Sequence, residues 1–276
     1  MEVPGGHSNK LWVLIYEMLG TAILLLGINL SNMGDTPYAV GFSLFSIIMM
    51  IGPVSGGHVN PAVSMAVLVR EGLSKLGGNI LFFALIVVFQ ILGAGLGVLL
   101  TLGYGGKMYE DDPLGRSRIA KLCPANSDVM TCEADGNIQF PAFMAEFFGT
   151  FLFTSVILSV KYNNGASELA FNALVIAITL YNVVQQTKNI SGAAINPAVG
   201  IVMTIYQQMQ YGKFGYKLVL SNMWIYIAGP LLGGTVAGLF SHLNASICAK
   251  LADEEGRQNT MVADNEEPMM DDGGVN

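Results

Sequence analysis

The stretch ISGAAINPAVG, residues 190–200, sets the pair Asn196-Pro197 in the middle of a small, apolar surround. A second stretch, PVSGGHVNPAVS at 53–64, repeats the arrangement around Asn60-Pro61. Asn is a strong helix N-cap and Pro is at home at the first helical position, so Asn-Pro-Ala reads as a helix start. The segments that follow, about 60–69 and 196–207, are apolar but short. Ten helical residues rise about 15 Å, half the hydrocarbon thickness of a bilayer. Two such pieces meeting tip to tip make one crossing between them.

The rest of the chain supplies the bilayer setting. Of its 276 residues, 52% are hydrophobic and only 12% charged, and its mean hydropathy is +0.52. Soluble domains carry about 25% charged residues. Apolar runs long enough to span occur at about 11–30, 36–54, 79–102, 141–160, 170–187 and 221–243, broken by Gly, Ser and Thr rather than by charge. Such small residues let membrane helices approach closely. The fold class is therefore an all-α membrane protein with six transmembrane helices and two re-entrant half-helices. The charge is concentrated at one end. From Ala252 onward there are eight acids against Arg257 alone, a balance equal to the net −7 of the whole chain. The acidity describes a tail, expected to be disordered and solvated over 249–276.

The chain also repeats itself. Glu17-Met-Leu-Gly-Thr21 matches Glu146-Phe-Phe-Gly-Thr150, and Asn60-Pro-Ala-Val63 matches Asn196-Pro-Ala-Val199. Gln90-Ile-Leu-Gly-Ala94 and Gly229-Pro-Leu-Leu-Gly233 fall in the third and sixth spans. Each copy holds three spans and one half-helix, about 11–102 and 141–243, inside a channel domain over 11–248 that follows a short segment at 1–10. Three is odd, so the second copy enters the membrane from the opposite side and the repeats are inverted.

Inversion brings both helix starts to one depth. A helix N-terminus carries unpaired N–H groups and roughly half a positive charge. Non-helical backbone at membrane depth is tolerated only where protein buries it or water lines it. Asn60-Pro61-Ala62 and Asn196-Pro197-Ala198 are thus read as the waist of a water-lined pore. The two Asn amides point into the lumen, and the carbonyls of 55–59 and 191–195 form a ladder of acceptors. The dipole ends repel cations and protons.

At these residues the sequence resembles the major intrinsic protein family, the aquaporins and aquaglyceroporins. SGGHVNPAVS, SGAAINPAVG, the two E-x-x-G-T contexts, FQILGAG and WIYIAGPLLGG at 224–234 carry the resemblance, which covers about 10–248. It implies a homotetramer with one pore per subunit, cytoplasmic termini and a long extracellular loop over 103–140. Glu17 and Glu146 resemble buried anchors that hydrogen-bond the half-helix loops. The loop holds Cys123 and Cys132, which on this topology either pair as a disulfide or remain free thiols. Asn29-Leu-Ser31 is a glycosylation sequon lying too near the first span to serve well, and His58 reads as a loop histidine bonding backbone, with a pH sensor as the alternative. Lys and Arg divide almost evenly between the two sides, so orientation rests on the resemblance.

The resemblance fails at the outer constriction. Water-selective members carry an Arg directly after the second Asn-Pro-Ala, where this chain has Val199. Ungapped counting gives Ala193 in the loop, Val184 in the fifth span and Val40 in the second, a ring of small apolar residues. Such a ring admits larger neutral solutes if wide and dewets as a gate if narrow. Gly200 stands where many glycerol-conducting members have Asp.

The leading expectation is a passive channel for water and small neutral solutes (glycerol, urea, ammonia) in a plasma or internal, vacuolar membrane. The alternatives are a closed-pore structural or adhesion protein, and a channel leaky to ions or protons. No enzyme is expected, since no Ser-His-Asp, Cys-His or paired-carboxylate set is placed at a pocket. The spacing of the three Cys suggests no metal, and neither a cofactor nor a nucleic-acid partner is implied.

Overall fold

The computed structural model describes residues 7–31, 36–105, 136–163, 168–211 and 220–266. Eight α-helices follow in order: α1 (His7–Leu30), α2 (Thr36–Ser55), α3 (Pro61–Glu71), α4 (Leu73–Gly105), α5 (Gly136–Asn163), α6 (Leu169–Thr187), α7 (Pro197–Tyr211) and α8 (Met223–Glu266), the last preceded by a 3-10 turn at Leu220–Asn222. Six of them, all except α3 and α7, are long and apolar enough to cross a membrane. The segment containing Cys123 and Cys132 lies outside the described residues.

The duplication is visible in the packing. α1 lies against α4 as α5 lies against α8, and each short helix packs on the long helix of the other repeat, α3 on α8 and α7 on α4. Close approach needs glycine in both copies. A Cβ on Gly93 of α4 would collide with the Met18 carbonyl of α1, and one on Gly233 of α8 with the Phe147 carbonyl of α5. Met18 and Phe147 each follow the repeated glutamate, so the same contact is made twice. The inversion is visible too. The start of α2, at Thr36, and Lys188 just past the end of α6 share one cavity wall, so these corresponding helices run in opposite directions.

The short helices do not span. α3 has 11 residues and α7 has 15, or about 16 and 22 Å at 1.5 Å per residue. The foot of α3 is held by α8. Arg70 Nε donates to Ser241 Oγ at 2.9 Å and His242 Nε2 to the Val69 carbonyl at 3.0 Å. Arg70 also stacks over the Tyr162 ring, 4.9 Å from its centroid.

One sequence expectation changes here. α8 does not stop near 248 but stays helical through Glu266, across the first part of the expected disordered tail. Local chemistry accounts for this, because Leu251-Ala-Asp-Glu-Glu offers good helix formers and Asp253 pairs with Arg257 one turn on at 2.9 Å. Residues 246–258, Cys248 among them, are nonetheless exposed. Truncation after Lys250 is therefore expected to leave the thermal midpoint of the purified protein unchanged, since exposed positions away from packing contribute within about 0.5 kcal/mol. A drop of several degrees would show that the tail packs on the body.

Candidate functional site: two helix tips beneath one cavity

Each half-helix starts as the sequence predicts. Asn60 has extended backbone, φ −158° and ψ 119°, and its Oδ1 accepts from the Ala62 N–H at 2.9 Å, with Pro61 at the first helical position. Asn196 Oδ1 accepts from Ala198 N–H at 3.0 Å and, at longer range, from Val199 N–H at 3.5 Å. These bonds satisfy part of the orphan donors at each tip.

The amide nitrogens reach across to the opposite repeat. Asn60 Nδ2 donates to the Ile195 carbonyl at 2.9 Å, and Asn196 Nδ2 to the Val59 carbonyl at 2.8 Å. Each repeat thus clasps the other through one N–H of each amide. An amide carries two N–H donors, so each Asn keeps a second one, and both residues line the cavity.

Val59 and Ile195, just before the two Asn, lie in the left-handed region at φ 42° and 52°. For β-branched residues this is an unfavourable conformation, costing about 1–3 kcal/mol each. The surroundings hold them from both sides. Their carbonyls accept from the opposite Asn, and their N–H groups are bound by the repeated glutamates. Glu17 accepts from His58 N–H at 3.0 Å and Val59 N–H at 2.6 Å. Glu146 accepts from Ala194 N–H at 2.9 Å, Ile195 N–H at 2.7 Å and Ser191 Oγ at 2.6 Å. Both carboxylates are fully buried. They act on the loops, as expected of anchors, and neither lines the cavity.

The two tips are braced differently. On the first, Gln90 Nε2 donates to Glu17 Oε2 at 2.8 Å and to Ser64 Oγ at 3.2 Å, and His58 Nδ1 lies 3.1 Å from Ser64 Oγ. His58 therefore bonds a side chain, not the backbone expected for it. On the second, Gly200 packs on Tyr226, whose hydroxyl donates to the Ser191 carbonyl at 2.7 Å. Of the carbonyls in 55–59 and 191–195, those of Val59, Ser191 and Ile195 each accept one protein donor, which leaves each a second lone pair.

Above the tips lies a cavity of about 360 Å³. All four residues of the expected constriction are on its wall: Val40 from α2, Val184 from α6, Ala193 from the loop and Val199 from the first turn of α7. Ala193 takes a positive φ of 58°. Tyr181, one turn before Val184, is absent from the wall and packs its ring against Tyr38, centroids 4.8 Å apart. The ungapped register of Val184 thus points to the cavity-lining position. Phe153, Met203 and Lys188 also line the cavity and were not singled out by sequence. Nothing local marks them, because three separate helix ends and faces bring them together. Asn29 of the sequon lines the wall as well, but it is buried and donates to Thr101 Oγ1 at 3.3 Å, which turns it away from the role of a glycan acceptor.

Comparison with known proteins places these features in context. The family model described as Major intrinsic protein matches residues 8–241. Aquaporin AqpM of Methanothermobacter marburgensis is 26% identical over 207 residues, 73% of this chain and 72% of the relative. A probable aquaporin AqpM of Archaeoglobus fulgidus is 28% identical over 228 residues, 78% and 79% of the two chains. Aquaporin PIP2-5 of Oryza sativa subsp. japonica is 25% identical over 210 residues, 75% of this chain and 65% of the relative. Among solved structures, the aquaglyceroporin from Plasmodium falciparum superposes with a TM-score of 0.66 at 20% identity, covering 84% of this chain and 95% of that one.

Proposed function

The chain belongs to the major intrinsic protein family, and from that membership we propose that the cavity above the crossed Asn amides is the outer half of its conducting path. The protein is an integral membrane protein of several passes and a passive channel for water or small solutes, not an enzyme. The finer reading is that water passes together with small neutral solutes such as glycerol, urea and ammonia. One observation carries it. The reciprocal bonds from Asn60 to the Ile195 carbonyl and from Asn196 to the Val59 carbonyl set two helix N-termini beneath a wall that carries Val40, Val184, Ala193 and Val199, which we read as the constriction. The dipole ends disfavour cations there, while the ring has neither the bulk nor the donors of an Arg.

Stopped-flow light scattering on purified protein in liposomes, with sucrose, urea and glycerol gradients, tests this directly. Water efflux well above that of empty liposomes and measurable urea or glycerol entry are expected. Shrinkage at the empty-liposome rate would assign the fold a structural role instead.

The ring makes a second expectation. Val199→Arg should lower the urea-to-water and glycerol-to-water permeability ratios, because a guanidinium at this buried position narrows the opening and finds acceptors among the carbonyls of 192–194. An unchanged ratio in an assembled variant would remove Val199 from the constriction. We also read the assembly as a homotetramer. The support for that assembly is the family membership, which implies it. Mass determination of the detergent-solubilised protein checks the number of subunits.

A further inference from the structure

Lys188 caps the C-terminal end of α6, its backbone N–H donated to the Val184 carbonyl at 2.9 Å. It is half-buried and forms part of the cavity wall with Asn189 and Gly192. Among the described residues lining that cavity, it is the only lysine, arginine or carboxylate. Among the described residues it has no ion-pair partner, so its charge is not cancelled by an acid on the wall. The position after the second tip, by contrast, is Val199, which brings no charge to the ring.

We infer that Lys188 is the residue that excludes cations at the outer mouth of this pore, with its ammonium charge standing beside the apolar ring rather than within it. The inference rests on the cavity being a conducting path. A fixed charge at the rim of a concave, low-dielectric wall acts more strongly than one on an open surface, because the wall focuses its field. Two opposing effects set the scale. The C-terminal end of α6 carries roughly half a negative charge, which offsets part of the ammonium. Salt screens the remainder with a Debye length of about 8 Å at physiological ionic strength. What survives adds to the repulsion by the two helix tips deeper in the pore. Placing the charge on the wall, outside the ring, leaves the opening wide for neutral solutes while keeping a barrier to cations. Size selection and charge selection are thereby separated onto different residues.

Urea and guanidinium are the appropriate probes, being nearly the same size and shape and differing in charge. Wild type, Lys188→Arg, Lys188→Met and Lys188→Glu are reconstituted, and water, urea and millimolar guanidinium fluxes are measured in the same liposomes. Guanidinium flux should be low in wild type and Lys188→Arg, about tenfold higher in Lys188→Met, the factor for about 1.4 kcal/mol, and higher again in Lys188→Glu. Water and urea fluxes should change little across the series. High salt should shrink the differences. A purely structural role for Lys188 would not order the variants by charge. Equal guanidinium flux in all four, with water conduction intact, overturns the inference and leaves the channel reading standing. Water efflux no faster than empty liposomes in wild type overturns both.

Discussion

Asn196→Leu is expected to cut osmotic water permeability by at least about tenfold in assembled protein. Leucine keeps asparagine's branching at Cγ and its number of side-chain heavy atoms but is bulkier, so the tip can still form while the lumen-side space shrinks. It cannot accept from the Ala198 and Val199 N–H groups, however, or donate to the Val59 carbonyl. Three polar groups at the two helix tips then lose their partner, at about 1–3 kcal/mol for each one left unsatisfied. The branched methyls replace the amide on the wall of a cavity of only about 360 Å³. Water moving past the tip loses a donor and meets an apolar plug, the condition under which a narrow pore dewets. Asn60→Leu should behave alike, because Asn60 makes the mirror-image bond to Ile195. Reconstituted Asn196→Leu conducting at the wild-type rate would sink the assignment of this site as the pore.

Glu146→Ala is expected to prevent accumulation of folded protein. The carboxylate is fully buried and binds Ser191 Oγ and the N–H groups of Ala194 and Ile195. Its removal orphans three donors, at about 1–3 kcal/mol each, and leaves a cavity besides. It also releases Ile195 from the interaction that holds it at φ 52°. The total approaches the whole stability of a typical domain, about 5–15 kcal/mol. Glu146→Gln keeps one oxygen acceptor but turns a donor toward the remaining N–H, so an intermediate yield is expected. The measurement is the monodisperse fraction by fluorescence-detected size exclusion. A normal yield of Glu146→Ala with an altered urea-to-water ratio would make Glu146 a selectivity residue rather than an anchor.

Much of this was legible in sequence because it depends on local rules. The two half-helix starts follow from Asn-Pro-Ala, whose capping and φ preferences act within a few residues. The six spans follow from apolar length, since a bilayer demands about 20 residues of helix whatever their neighbours. The glutamates that bind the loop N–H groups were marked by a repeat of matching E-x-x-G-T context, and apolar residues of the cavity wall by counting along the chain. The end of α8 was not legible. An acidic, polar segment suits a solvated tail and an exposed helix almost equally, and Asp253 with Arg257 tips it toward helix without any core to signal it.

By itself, then, the sequence determined the class of fold, the inverted duplication and the place of the two tips. Only the tertiary structure decided where the polar groups at those tips point. The Asn60 amide turns to Ile195 and the Asn196 amide to Val59, partners more than a hundred residues away, which no local pattern could name. The same holds for Tyr226, which braces Ser191 from another helix, and for Lys188, whose place on the cavity wall depends on α6 ending beside the second loop. Capping, span length and repeat are written along the chain because each is satisfied by neighbouring residues. A hydrogen bond between the two tips, or a charge on the cavity wall, exists only after helices from both repeats have closed on one another.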